Sequence, residues 1–262
     1  MERITIVIPR RGINDEGKGK KHALYQLISS ATTPYVWLRD DDVFPPSMTL
    51  EQAEQLLDRL DDPDLLILSL RMTKGQGSLL ERLQQAEYAA IQQLTIETAA
   101  RGHAVMCSGA NMIVKRERWL AAFADIHPEL PSGDDMFLLE SFKRRGWYVA
   151  VSDQPDSEAV VTPCPTWSSF WRQRMRWAGK APYYTDSDIR RCGWIVVLAN
   201  LLQAIFLPFL LVKFPFEYRL IKKRDPSVSL ACALLLALVY PWYLFVSLLG
   251  GLWTQHHAST TF

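Results

Sequence analysis

No sign of charge dominates this 262-residue chain: 29 lysines and arginines face 28 aspartates and glutamates, giving a net charge of +1. That balance gives no bulk electrostatic argument for nucleic-acid binding. Cysteine is sparse, and Cys107, Cys164, Cys192 and Cys232 form no Cys-x-x-Cys pair. Zinc and redox motifs are therefore unsupported, and no disulfide framework is expected. The P-loop spacing is missing, since no Gly-Lys-Ser/Thr follows the glycine-rich loop. Met1 to Arg11 is a strand-like run with no apolar h-region, so no secretory leader is expected. Charge is absent altogether from Cys192 to Val212 and from Pro226 to Thr254. Each run is long enough to cross ~30 Å of hydrocarbon, and neither carries a charged residue that would line an ion path. The pattern is that of an α/β soluble part followed by a membrane part.

The stretch around which the rest is organised is Tyr35-Val-Trp-Leu-Arg-Asp-Asp-Asp-Val43, a run of β-formers ending in three carboxylates. Side chains alternate along a strand, so Asp40 and Asp42 can aim at one point just beyond its end. Two oxygen ligands of that kind suit a hard divalent cation that keeps open positions for a diphosphate. Strand ends are also where open α/β sheets place ligands. A solvated acidic turn before Pro45-Pro46 is the competing reading.

Ahead of it, Ile4 to Ile8 is a β-branched run closed by Pro9, expected as a buried parallel strand. The loop from Gly12 to Lys21 carries Gly-Lys-Gly-Lys-Lys and leads into an amphipathic helix. Basic side chains and free N–H groups there can meet a phosphate, or simply face solvent. Beyond the acids, Ser47 is the expected N-cap of a helix through Leu60, and Leu65 to Leu70 the next buried strand. Leu79 to Ala100 reads as a long helix with Leu80, Leu83, Ala86 and Glu87 on its packing face. Met106 to Val114 reads as a small-residue turn feeding a strand. Gly109 and Ala110 there would let a ligand approach the backbone, and Asn111 could bond to it or serve the turn.

Pro131-Ser-Gly-Asp-Asp135 precedes a helix from Met136 to Arg145 that Gly146 closes. One acid can cap that helix, which leaves the second unexplained. Trp147 to Val151 and Ala159 to Thr162 read as two further strands. Thr166 to Lys180 is rich in tryptophan and arginine. On a helix, Trp167, Phe170, Trp171 and Arg174 share one side and Gln173, Arg176 and Trp177 another. The composition suits a bilayer interface, and equally a phosphate with a stacked ring.

The order of these motifs is a basic Gly-Lys loop, Asp-x-Asp, Gly-Ala-Asn, Gly-Asp-Asp, Gln-x-x-Arg-Trp and then apolar spans. It resembles the membrane-associated family 2 glycosyltransferases, the group that includes cellulose-synthase-like enzymes, over about residues 4 to 180. The resemblance implies a GT-A-like (Rossmann-like) mixed sheet flanked by helices, followed by an interfacial helix and C-terminal transmembrane helices. The expected division is a catalytic domain over 1–165, an interfacial segment over 166–191 and a membrane region over 192–262, with apolar helices about 192–212 and 227–253. A single crossing by the second run, with the first re-entrant or interfacial, is the competing topology.

By resemblance, Asp40 and Asp42 hold Mg or Mn and the donor diphosphate, and Asp135 is the general base. Gln173, Arg176 and Trp177 bind donor and acceptor, Lys18 or Lys20 lies near the donor, and Gly109, Asn111 and Asp134 line the site. The implied reaction is inverting transfer from a nucleotide sugar, with a UDP-sugar expected, to a lipid-linked or polysaccharide acceptor. The implied location is a bacterial inner membrane with the catalytic part cytoplasmic. Family members carry two further strands ahead of the Gly-Lys loop, so the chain is expected to be N-terminally shortened, to expose an apolar sheet edge and to lack half of the donor pocket. The alternative function is a catalytically impaired remnant acting only as a membrane-attached binding module.

Overall fold

The computed structural model describes residues 2–10, 19–130 and 132–258, with side chains to Trp253. The chain divides into two compact units: residues 1–71 with 95–161, and residues 72–94 with 162–262.

The first unit is built on five strands in the order β1-β2-β5-β3-β6. They are β1 (Ile4–Val7), β2 (Tyr35–Arg39), β3 (Leu65–Leu68), β5 (Asn111–Lys115) and β6 (Val149–Ser152). β1 runs parallel to β2 and β3 parallel to β6, while β5 runs antiparallel to both β2 and β3 between them. The central strands β2, β3 and β5 are buried on both faces. That is why they read as unbroken apolar runs rather than as alternating ones. On one face Tyr35, Trp37, Leu66, Leu68 and Ile113 pack on Ala53, Leu56 and Leu57 of α2 (Leu50–Arg59).

The N-cap of α2 is Thr49, not Ser47: its hydroxyl accepts from Gln52 N at 3.2 Å, and Gln52 Oε1 accepts from Thr49 N at 2.8 Å. Only Thr49 has a glutamine three residues on to complete this reciprocal pair. The unit also holds α1 (Lys20–Ser30), α4 (Arg116–Ala121) and α5 (Asp134–Arg144), whose inward sides bury Leu24, Ile28, Trp119, Leu138 and Phe142.

The strand expected over Leu65–Leu70 is two strands. At Ser69 the chain leaves the main sheet and enters β4 (Leu70–Met72), which pairs with β7 (Ala159–Val161) in a separate two-stranded sheet. β1 is parallel as expected but lies at the sheet edge, where Ile6 is 38% exposed.

The second unit contains α3 (Leu79–Ala99) up to Leu94, then α6 (Trp167–Ala178), α7 (Ser187–Ile205), α8 (Leu210–Arg224) and α9 (Leu230–Ala258). α6 starts at a second capping box, Thr166 with Ser169. Glu87 of α3 is buried and meets the Arg174 guanidinium at 2.5 Å, and the Tyr243 hydroxyl also donates to it. Arg174 in turn lies over the rings of Phe170 and Trp177, at 4.7 and 4.5 Å from their centroids. Glu87 therefore interrupts the packing face of α3 because a buried cation waits for it.

The apolar run 192–212 does not form the single helix expected of it. α7 ends at Ile205, a 3-10 turn spans Leu207–Phe209, and α8 begins at Leu210. Pro208 has no N–H to continue the α7 ladder but fits the first turn of a new segment. The second run is continuous, and Leu230–Trp253 is 24 residues long with mean hydropathy 2.1. It is the one described helix long and apolar enough to cross a membrane.

Replacing Arg174 with Met strands the Glu87 carboxylate in the interior and should cost about 3 kcal/mol of stability. The double variant with Glu87→Met should recover most of that loss in thermal unfolding of the full chain. An Arg174→Met protein as stable as the parent would contradict the pairing.

Candidate functional site

At the C-terminal end of β2 the extended run gives way to a turn, which places Asp40 half-buried and leaves Asp41 and Asp42 exposed. A single backbone bridge between Phe44 and Val160 anchors the far side of that turn. From the first residue of α1, Lys20 reaches across to this point. Its Nζ lies 2.6 Å from Asp40 Oδ1 and 3.7 Å from Asp134 Oδ2. Lys20 is thus the basic-loop residue the fold brings to the acids. Lys18, the other candidate, lies outside the described residues.

Asp134 and Asp135 form the first turn of α5, where the helix dipole favours negative charge. Gly133 precedes them in the left-handed region, at φ 89°, a conformation that a side chain would strain. Asp134 is buried, and its Oδ2 makes no hydrogen bond. Asp135 is held differently. Its Oδ1 accepts from Met136 N at 2.8 Å, its Oδ2 accepts from Gly109 N at 3.3 Å, and its backbone carbonyl accepts from the Cys107 thiol at 3.1 Å.

The fit at Gly109 is tight: a Cβ there would stand 3.3 Å from Asp134 Oδ2, which would have to give by a few tenths of an ångström, and 3.6 Å from Lys20 Nζ. The close approach expected at Gly109 is made by these side chains of the protein itself.

The electrostatics follow from the crowding. Burial raises the Asp135 carboxyl above the ordinary aspartate range, and the neighbouring Asp134 charge raises it further. Lys20 and the two backbone N–H groups pull the other way without cancelling the rise. For Lys20, burial works against the charge, but the fields of Asp134, Asp40 and Asp135 outweigh it and hold the ammonium above the usual lysine range. Burial pushes the Cys107 thiol up, with Asp135 and Asp134 adding to it. A neutral thiol suits its place as a donor to a carbonyl.

Asn111 corrects the expectation of a ligand contact. It is fully buried, and its Oδ1 accepts from Trp37 Nε1 at 2.9 Å. Its Nδ2 donates to the carbonyls of Ser69 at 3.0 Å and Ser157 at 2.9 Å. It ties β2 and β5 to the point where the chain changes sheet, and so positions the site from below.

The remaining candidates stand on α6 in the second unit. Gln173 Oε1 accepts from Arg174 at 2.5 Å and lies 3.5 Å from Cys164 Sγ, so its amide is already engaged. Arg176 is exposed, and Trp177 is 39% exposed beneath the Arg174 guanidinium. Sequence reasoning missed Lys20 as the joint partner of Asp40 and Asp134, and Cys107 as a support of Asp135. Only the nearness of Cys107 to Gly109 along the chain could have hinted at the latter.

The donor set at the strand end is oxygen only, which fits a hard divalent cation rather than zinc. Among the described residues no three His, Cys, Asp or Glu side chains converge on a metal position. Asp40 and Asp42 would hold such a cation together with water and substrate oxygens. Lys20 already engages Oδ1 of Asp40. A cation would therefore share that carboxylate with Lys20 or displace it.

A mixed sheet flanked by helices, with acids at the end of one strand and at the start of one helix, is the GT-A architecture of sugar-nucleotide transferases. Residues 2–180 match the family described as Glycosyltransferase like family 2, and the chain belongs to that family and is a glycosyltransferase. Among solved structures it is similar to the mannosyltransferase PcManGT from Pyrobaculum calidifontis, described in complex with GDP-Man and Mn2+. The identity is 17%, the match covers 90% of this chain and 67% of that one, and the TM-score is 0.48. A mycobacterial protein matches at 15% identity over 64% of this chain and 53% of that one, with a TM-score of 0.35. No curated protein sequence matches the chain.

Proposed function

We propose that this glycosyltransferase inverts the anomeric centre it attacks, with Asp135 as the general base. The observation that carries this reading is the environment of Asp135, whose partly buried carboxyl is raised above the ordinary range while two N–H groups fix its direction. A base works best when its pKa approaches the working pH. The acceptor hydroxyl gives its proton to the Asp135 carboxylate as its oxygen bonds to the anomeric carbon. The bond from that carbon to the donor diphosphate breaks, and the nucleoside diphosphate leaves with the electron pair. One displacement of this kind inverts the configuration.

A divalent cation, Mg or Mn, bound at Asp40 and Asp42 would supply positive charge against the leaving diphosphate. Lys20 stands beside Asp40 with a secure positive charge and serves the same phosphates. Arg176 and Trp177 of α6 are exposed and are assigned to the donor diphosphate and acceptor end. Gln173, bonded to Arg174, orients that helix face rather than meeting substrate directly.

The acceptor is assigned to the lipid-linked or polysaccharide class, because the membrane reading is supported by two surfaces. α9 exposes Leu234, Leu238, Trp242, Val246 and Leu249, and the chain around the α7–α8 junction exposes Ile205, Phe206, Leu207, Leu211 and Val212. Water solvates both patches poorly, whereas hydrocarbon accepts them. The break after Ile205 favours a single crossing by α9, with the first run interfacial or re-entrant. That topology keeps Lys213, Arg219, Lys222, Lys223 and Arg224 on the cytoplasmic side, as the positive-inside tendency prefers. Two crossings would place them outside.

Asp135→Asn should reduce sugar transfer by about 10³-fold or more while nucleotide binding persists. Transfer by the parent should fall as pH drops through the raised Asp135 pKa, because the protonated carboxyl accepts no proton. Full turnover by Asp135→Asn would remove the assignment. In sealed, inside-out membrane vesicles, protease should cut the 213–225 segment. Protection of that segment would instead favour two crossings.

A further inference from the structure

Asp134 has a carboxylate oxygen to which the reaction, as described so far, gives no task. Of the two acids that open α5, Asp135 takes the backbone N–H groups of both Met136 and Gly109. Asp134 Oδ2 is closed to solvent and makes no hydrogen bond. An unmet buried acceptor is costly, and a charged one more so. On one side of it Lys20 Nζ stands 3.7 Å away, just beyond hydrogen-bond reach. On another side Gly109 closes in, where a Cβ would lie 3.3 Å from the oxygen. The group within reach of Asp134 Oδ2 is therefore an ammonium of the protein, not a substrate.

That ammonium is bonded to Asp40 Oδ1 at 2.6 Å. Mg or Mn sits about 2.0–2.1 Å from a carboxylate oxygen. A doubly charged cation on Asp40 would thus meet the Lys20 charge at close quarters, where like charges repel strongly in a half-buried place. Lysine carries its charge as a compact point on a flexible four-carbon stem. The ammonium can therefore give up Asp40 without any movement of α1. Towards α5 it finds Asp134 Oδ2, an oxygen that lacks a donor.

We infer, on the assignment of a divalent cation to Asp40 and Asp42, that Asp134 is a positioning residue which receives Lys20 when the cation takes Asp40. Lys20 and the cation compete for one carboxylate, and Asp134 tilts that competition towards the cation. The exchange conserves ion pairs: Asp40 passes from the ammonium to the metal, and Asp134 gains the ammonium. Lys20 stays close to the donor diphosphate throughout. Asp134 touches neither the substrate nor the cation, and its influence passes through Lys20.

Mn2+ binding to the full chain in detergent, read without nucleotide sugar from the EPR signal of the free ion, tests this exchange. Asp42→Asn should weaken binding about tenfold or more. Binding indifferent to Asp42→Asn would remove the cation from the strand end, and both the assignment and the exchange would fall. Lys20→Met should tighten Mn2+ binding about tenfold, because the competitor is gone. Asp134→Asn should weaken it about tenfold, because Lys20 is left to Asp40. The double variant separates a route through Lys20 from the plain attraction of a nearby negative charge. In the Lys20→Met background, Asp134→Asn should change binding by less than about twofold. A loss as large there as in the parent would overturn the exchange while leaving the cation assignment standing. So would a Lys20→Met protein that binds Mn2+ no more tightly than the parent. Lys20→Gln and Asp134→Ser repeat the cycle with other side chains, so a single variant that fails to fold does not remove the test.

Discussion

Lys20 is the cation that the fold places between Asp40 and Asp134. Its ammonium bonds Asp40 at the end of β2 and faces Asp134 at the start of α5, two positions 94 residues apart in the chain. Without it, Asp40, Asp134 and Asp135 would repel one another in a partly buried place, and the buried Asp134 oxygen that makes no hydrogen bond would lose its neighbouring counter-charge. The helix dipole at α5 helps, and so does the N–H of Gly109, but neither carries a full charge. The rest of the first unit frames this contact. β2 delivers Asp40, β5 with Asn111 fixes the turn through Gly109, and Gly133 lets α5 begin with both carboxylates turned inward.

The same contact divides the labour between the acids. Asp40 keeps a strong ion pair and remains a charge partner. Asp135 has burial and a like charge against it, and Lys20 acts on it without bonding to it. Its carboxyl is therefore raised and becomes the group able to take a proton. One arrangement thus separates a carboxylate bonded to an ammonium from one raised above the ordinary aspartate range, as acid–base chemistry requires.

Much of this was legible in the chain itself, and the reasons differ by residue. The acid-ended strand could be read because β-formers stop abruptly at Asp40. The helix closed by Gly146 could be read from Met136 onward, but it begins two residues earlier, so that Asp134 and Asp135 lie in its first turn rather than ahead of it. Thr49 was overlooked for Ser47, although Gln52 three residues later was the deciding signal. Asn111 could not be resolved, since an amide facing a ligand and one facing Trp37, Ser69 and Ser157 look alike in one dimension. Glu87 on an apolar helix face is the mark of a buried cation opposite it. Its partner, Arg174, lies 87 residues away, in a segment whose tryptophans and arginines suit a bilayer interface or a phosphate equally well. The interruption after Ile205 was visible as Pro208, but charge-free composition argued for one continuous span.

The titration of Asp135 against Lys20 tests the central contact most directly. Lys20 lowers the Asp135 pKa from the value that burial and Asp134 would otherwise impose. Removing the ammonium while keeping its aliphatic bulk, as in Lys20→Met, should therefore move the acidic limb of the pH–rate profile for sugar transfer to higher pH. A limb that stays where it is in the parent, or moves to lower pH, would contradict the account.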